Sequence, residues 1–132
     1  MRKLFLCAAL LMFVFVSLAH SSETINHYEA DAVNSQEDAL KALDKNSEII
    51  SAILQKDNLD AAHLEDIHRV SYTLENAIDK LISEKAAPET VLNPVEKAIQ
   101  NIHDSSEDHE EQAVRQHFQD FQSSFKALKS VI

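Results

Sequence analysis

Leu64 to Ile82, LEDIHRVSYTLENAIDKLI, is the stretch on which the reading of this chain turns. Leu64, Ile67, Ser71, Leu74, Ile78 and Leu81 recur at alternating spacings of three and four, which places them on one stripe of an α-helix. That stripe is the expected buried face. One residue further on, Glu65, His68, Tyr72, Glu75 and Asp79 form a second, polar stripe at the margin of the core. Any chemistry is expected there.

Upstream, Ser35 with Asp38 reads as a capping box, followed by Leu40, Leu43, Ser47, Ile50 and Leu54 on one face of a first helix. Lys56-Asp57-Asn58 ends it, Asp57 or Asn58 caps the next, and helix two runs from about Leu59 to Lys85. Downstream, Lys85 to Thr90 is a break and Asn93-Pro94-Val95-Glu96 is a start signal. Val91 and Leu92 are then expected in a preceding turn, with helix three from Pro94 to about Asp104 on a stripe of Val95, Ile99 and Ile102. Asp104 to Asp108 reads as a turn. Helix four follows to about Val131, and its Val114, Phe118, Phe121, Phe125 and Leu128 have the spacing of core residues rather than of a cofactor box.

Four amphipathic segments without strand alternation predict an all-α, up-down-up-down four-helix bundle over residues 35–132. Pro94 makes helix three the weak member, so a three-helix bundle with an extra turn is the alternative architecture. A narrow apolar stripe is also what a coiled coil uses, which raises a homodimer as a further arrangement.

The N-terminus reads as a cleaved signal peptide, residues 1–19: Arg2 and Lys3, an apolar run from Leu4 to Val16, then Ser17-Leu18-Ala19. Residues 20–34 show no sustained period and read as an extended arm that Ile25, Tyr28 and Val33 tack onto the bundle, with His27 and Tyr28 its most chemical pair. Cleavage implies the periplasm. It also removes Cys7, Met1 and Met12, so no disulfide, thiol nucleophile or thioether ligand is left.

The 132-residue chain is one domain's worth and contains no Gly, which excludes the phosphate-cradling loops of P-loop and dinucleotide-binding enzymes. Its formal charge is −10, and −12 once Arg2 and Lys3 are gone with no acid lost. Nucleic acid and anionic membrane surfaces are repelled by such a balance.

Seven histidines, at 20, 27, 63, 68, 103, 109 and 117, raise metal binding as a question. Glu65-Asp66-Ile67-His68 has the Glu-x-x-His spacing of di-iron bundles, but His103 is preceded by Gln100 and there is no second motif in the mature chain. A mononuclear site fits better. If helices two and three are antiparallel neighbours, Glu75 lies level with His103, with Glu107 one turn beyond and His68 and Tyr72 nearby. The candidate metal residues are thus His68, Glu75, His103 and Glu107, supported by Glu65, Tyr72 and Asp79. A polar margin with ordinary hydrogen bonds is the plainer account of the same residues. Bis-His haem ligation by His68 and His103 is a further option, without Met ligation or a Cys-x-x-Cys-His attachment motif.

The runs His68-Arg69-Val70-Ser71-Tyr72-Thr73-Leu74-Glu75-Asn76-Ala77 and Ile102-His103-Asp104-Ser105-Ser106-Glu107, with His27-Tyr28-Glu29 ahead of Glu37-Asp38-Ala39-Leu40, resemble a family of small exported Gram-negative bacterial helical proteins of unknown function. The resemblance spans nearly the whole mature chain, and Tyr72 to Asn76 is its most specific piece. It implies export and a helical domain, and supplies no activity. Where that family often has Gly soon after the first His-Tyr, this chain has Ala30, which bears on the shape of the arm. The expected function is a periplasmic, non-enzymatic binding or accessory module that holds a divalent metal or a polar group of a protein partner. The alternative is a structural or interaction bundle with no ligand.

Overall fold

The structure is a computed structural model and describes residues 29–132. Four helices follow one another: α1 (Gln36–Leu54), α2 (Ala61–Ser83), α3 (Glu89–Glu107) and α4 (Glu111–Lys129). Each packs against its successor, so the short connections enforce an up-down-up-down four-helix bundle. The backbones of α1 and α4 approach less closely than the three consecutive pairs. Residues 29–34 carry no helix, and Val33 packs against the core while the Asp31 N–H donates to Thr73 Oγ1 at 3.1 Å. The expected signal peptide, His20, Ile25, His27 and Tyr28 lie outside the described residues.

The stripe of α2 is buried at all six expected positions, with Ala77 and Thr73 added. Against it lie Val95, Ile99 and Ile102 of α3 and a ladder of stacked rings on α4, Phe118 to Phe121 at 6.0 Å and Phe121 to Phe125 at 5.4 Å. Each such side chain contributes about 1.5–3 kcal/mol of burial.

Three boundaries and faces differ from the sequence reading. In α1 the fully covered positions are Ala39, Leu43, Asn46 and Ile50, with Leu40 and Ser47 at the flank. The two candidate stripes share Leu43 and Ile50, and a small rotation selects between them. Asn46 is tolerated inside because its amide donates to the Ala42 carbonyl at 2.8 Å. Helix α2 is capped by Asp60 rather than Asp57 or Asn58. The Asp60 carboxylate accepts from the His63 backbone N–H at 2.9 Å and the His63 ring accepts from the Asp60 N–H at 3.2 Å, a reciprocal box with His in the usual Glu position. Helix α3 starts five residues before Pro94 and runs on to Glu107. Leu92 is buried, and burying it outweighs the single backbone bond that Pro94 forfeits. Ser105 and Ser106 accordingly return their hydroxyls to helix carbonyls instead of capping α4.

Two turns close without glycine. After α2, the Ala86 N–H bonds to the Leu81 carbonyl and the Lys85 N–H to Ile82, while Lys85 takes φ 51°. After α3, the Glu110 N–H bonds to Ser105 and the His109 N–H to Ser106, with His109 at φ 57°. Both are Schellman caps with a side-chain-bearing residue in the left-handed position where Gly is usual. The first connection is held differently. Arg115 of α4 donates to the carbonyls of Leu54 at 2.6 Å and Lys56 at 2.7 Å, and its partner Glu111 accepts from the Leu59 N–H at 3.3 Å. Since α1 has no basic residue in its last turn, Arg115 supplies the positive charge that its C-terminus lacks.

Candidate metal centre

The polar stripe of α2 meets α3 beside its last two turns, and there the histidines converge. His103 Nδ1 lies 3.1 Å from Glu75 Oε1 and 3.1 Å from Ser71 Oγ. The antiparallel hairpin brings Glu75 to His103 as expected, but the longer α3 makes Ser71 the residue nearly level with His103, and Glu75 reaches the ring from about one turn nearer the connection. Ser71 donates its hydroxyl proton to the His68 carbonyl at 2.6 Å, so it turns a lone pair toward the His103 ring. On the far side of that ring, His103 Nε2 is 4.0 Å from Glu107 Oε2. His68, Tyr72 and His103 pack as rings 4.7–5.2 Å apart, the two contacts of His103 being edge to face.

One donor atom from each of His68, His103 and Glu107 lies within 4.8 Å of the other two, the one such group of histidine, cysteine and acidic residues among the described residues. Glu75 stands outside it, on the opposite nitrogen of His103. Glu65 approaches His68 Nδ1 only to 3.9 Å, and Asp79 is exposed one turn beyond Glu75. His68 is 8% exposed, and its Nε2 is buried with no hydrogen-bond partner. Such an atom is costly unless something else satisfies it. Burial, and then the charge of His103, holds the His68 pKa below the ordinary histidine value, which leaves a neutral ring with a lone pair at pH 7. Burial likewise raises the Glu75 carboxyl above its ordinary value, helped by Asp79 and Asp104 and opposed by His103.

A family model matches residues 1–130. The chain belongs to DUF6746, a family of unknown function. No curated protein and no solved structure matches it. For this DUF6746 bundle the chemistry of the site therefore has to be read from its own atoms.

Ser71, His103 and Glu75 are the residue types of a nucleophilic triad, but Ser71 and Glu75 both address Nδ1, so no proton can pass through the ring from one to the other. Ser71 is moreover fully buried. Bis-His haem needs the two imidazoles on opposite faces of a macrocycle, whereas His68 and His103 touch at 4.7 Å between centroids. What the DUF6746 site does present is two imidazoles, a carboxylate, and a second carboxylate behind one imidazole. That is the donor set of a small metal centre. In the sequence, Ser71 reads as a core residue rather than as a partner of His103. Its position at the edge of both α2 stripes was the available signal.

Proposed function

We propose that this DUF6746 protein is an exported, non-enzymatic accessory module that holds a divalent metal ion at His68, His103 and Glu107. The observation that carries the reading is the buried, unpartnered Nε2 of His68 beside a second imidazole and a carboxylate. Two features of charge support it. The net charge of −10 concentrates cations around the molecule. The last turn of α3 has no basic residue, so a cation at His103 and Glu107 would lie at the negative end of an uncompensated helix dipole. Export rests on the basic, apolar and small-residue order of residues 1–19.

The test uses the chain from residue 20 onward, without a tag, titrated separately with Zn²⁺, Cu²⁺, Ni²⁺ and haem while melting temperature and mass are followed. A stoichiometric rise with a metal ion, abolished by His103→Ala, is the expected result. An ion at a hundredfold excess over its Kd would add about 2.7 kcal/mol of stability. No shift with any ligand, together with a mass that grows with concentration, overturns the metal reading in favour of an interaction bundle. Ile49 on α1 and Val131 and Ile132 at the C-terminus are the exposed large apolar residues, among those described, that such an interface would use. Export is checked by the intact mass of protein recovered from the periplasm, where the N-terminus is expected at His20.

A further inference from the structure

We infer that the centre selects ions of the zinc and copper class, bound through Nε2 of both His68 and His103, and that Glu75 is the positioning residue that presents His103 Nε2 to the ion. The inference deepens the metal-holding reading and rests on it. A neutral imidazole carries one N–H and one lone pair, and the partner of one nitrogen decides which atom has which. At His103 both neighbours of Nδ1 are acceptors: the Glu75 carboxylate at 3.1 Å, and Ser71 Oγ at 3.1 Å, whose own proton is committed to the His68 carbonyl. Nδ1 therefore carries the hydrogen. The lone pair falls on Nε2, on the side of Glu107.

His68 offers its Nε2 for a different reason, as an atom that nothing in the protein satisfies. Its Nδ1 is 3.9 Å from Glu65, beyond hydrogen-bond length, and its Nε2 is the buried atom without a partner. Two imidazole nitrogens and one carboxylate make a borderline donor set. Zn²⁺ and Cu²⁺ favour it, whereas Mg²⁺ and Ca²⁺ require shells of oxygen. No thiol or thioether is present in residues 29–132 to favour a softer ion.

Geometry shows which ligand must move. Donors about 2.1 Å from a tetrahedral ion stand roughly 3.4 Å apart, so the spacing of up to 4.8 Å must close by an ångström or so. The histidines are locked by ring packing and by Glu75. The Glu107 side chain is 59% exposed in the last turn of α3, and it is the ligand with room to swing.

The experiment combines calorimetric titration with long-range ¹H–¹⁵N NMR of the histidine rings, on the mature chain and on Glu75→Gln and Glu75→Ala. The parent should bind one Zn²⁺ or Cu²⁺ and leave its ring signals unmoved in millimolar Mg²⁺ or Ca²⁺, with His103 in the Nδ1–H form before metal is added. Glu75→Ala should weaken Zn²⁺ binding by about 10–100-fold, the usual loss for a supporting hydrogen bond, and shift His103 part of the way toward the Nε2–H form, Ser71 Oγ being left as the sole acceptor at Nδ1, with helicity intact. Glu75→Gln, whose amide oxygen still accepts, should keep the tautomer and most of the affinity. If the parent binds Zn²⁺ but Glu75→Ala leaves affinity and tautomer unchanged, or if Mg²⁺ competes on equal terms, this inference fails and the metal module stands. If the parent binds none of the ions, the module itself falls.

Discussion

His68 gives up hydration on entering the bundle and gains no hydrogen bond at Nε2 in return. Replacing it with an apolar ring of similar shape removes that liability, so His68→Phe should leave stability unchanged or raise it by about 1 kcal/mol in urea melts while abolishing metal binding. The pH dependence has a definite sign. The folded pKa of His68 lies below that of the unfolded chain, so across that window only the unfolded state takes up the proton. Stability is then lost as pH falls through the ordinary histidine value of 6.5 toward the folded one. Glu75 runs the other way: its raised pKa gives stability that is present below the unfolded carboxylate value and is lost as pH rises through the folded one. Melts between pH 7.5 and 5 should accordingly fall more steeply for the parent than for His68→Phe, and equal slopes would rule out burial of neutral His68 as the cause. At this scale the sequence carried much of the site. Counting turns outward from the expected break at 85–93 sets Glu75 opposite His103, because antiparallel helices rise at the same rate. From the observed ends, Ser83 and Glu89, Ser71 is the residue nearly level with His103, and Glu75 reaches it from about one turn nearer the connection. Which nitrogen of His103 Glu75 would meet was not legible, since side-chain torsions decide it and no spacing rule does.

The two Schellman caps put Lys85 and His109 at φ 51° and 57°, where a Cβ crowds the backbone. Lys85→Gly and His109→Gly should each raise stability by about 0.5–1 kcal/mol, the relief of that crowding less the added freedom of the unfolded chain. Thermal melts of the single and double variants check this, and the two sites are far enough apart along the chain for the effects to add. A loss of stability in either would mean that its side chain makes contacts outweighing the backbone term. The same turns show why helix ends were harder to read than helix faces. With no Gly in the chain, the usual stop signal was missing, and Pro94 supplied a strong but misleading start. Val91 and Leu92, expected in a preceding turn, belong to α3 instead, and burial of Leu92 decides it. The buried face of α1 departs from the expected stripe for a related reason: Asn46 bonds within its own helix, so its polarity does not keep it out of the core.

At the level of the whole molecule, the up-down topology followed from four stripes and short polar links, and it was legible. The closure of the ring was not. It involves Arg115, one of several charged residues on α4, reaching two carbonyls that lie about sixty positions earlier in the chain, and Lys129, which donates to Asp44 of α1 at 2.9 Å. Arg115→Ala should cost about 2 kcal/mol, in line with charge-assisted bonds to buried or terminal carbonyls. It should also speed amide hydrogen exchange in the last turn of α1 more than in α2 or α3, and uniform acceleration would show that the clamp acts on the bundle as a whole. The pairing of neighbours has a kinetic side as well. Every donor of the proposed metal centre belongs to the α2–α3 hairpin, and its Ser71 to His103 contact closes over 32 residues. Contacts of such short separation form early, ahead of the α4-to-α1 clamp that must bring together positions 61 apart. An ion present where the exported chain folds would thus meet a hairpin with its ligands already opposed, a template around which the outer helices condense.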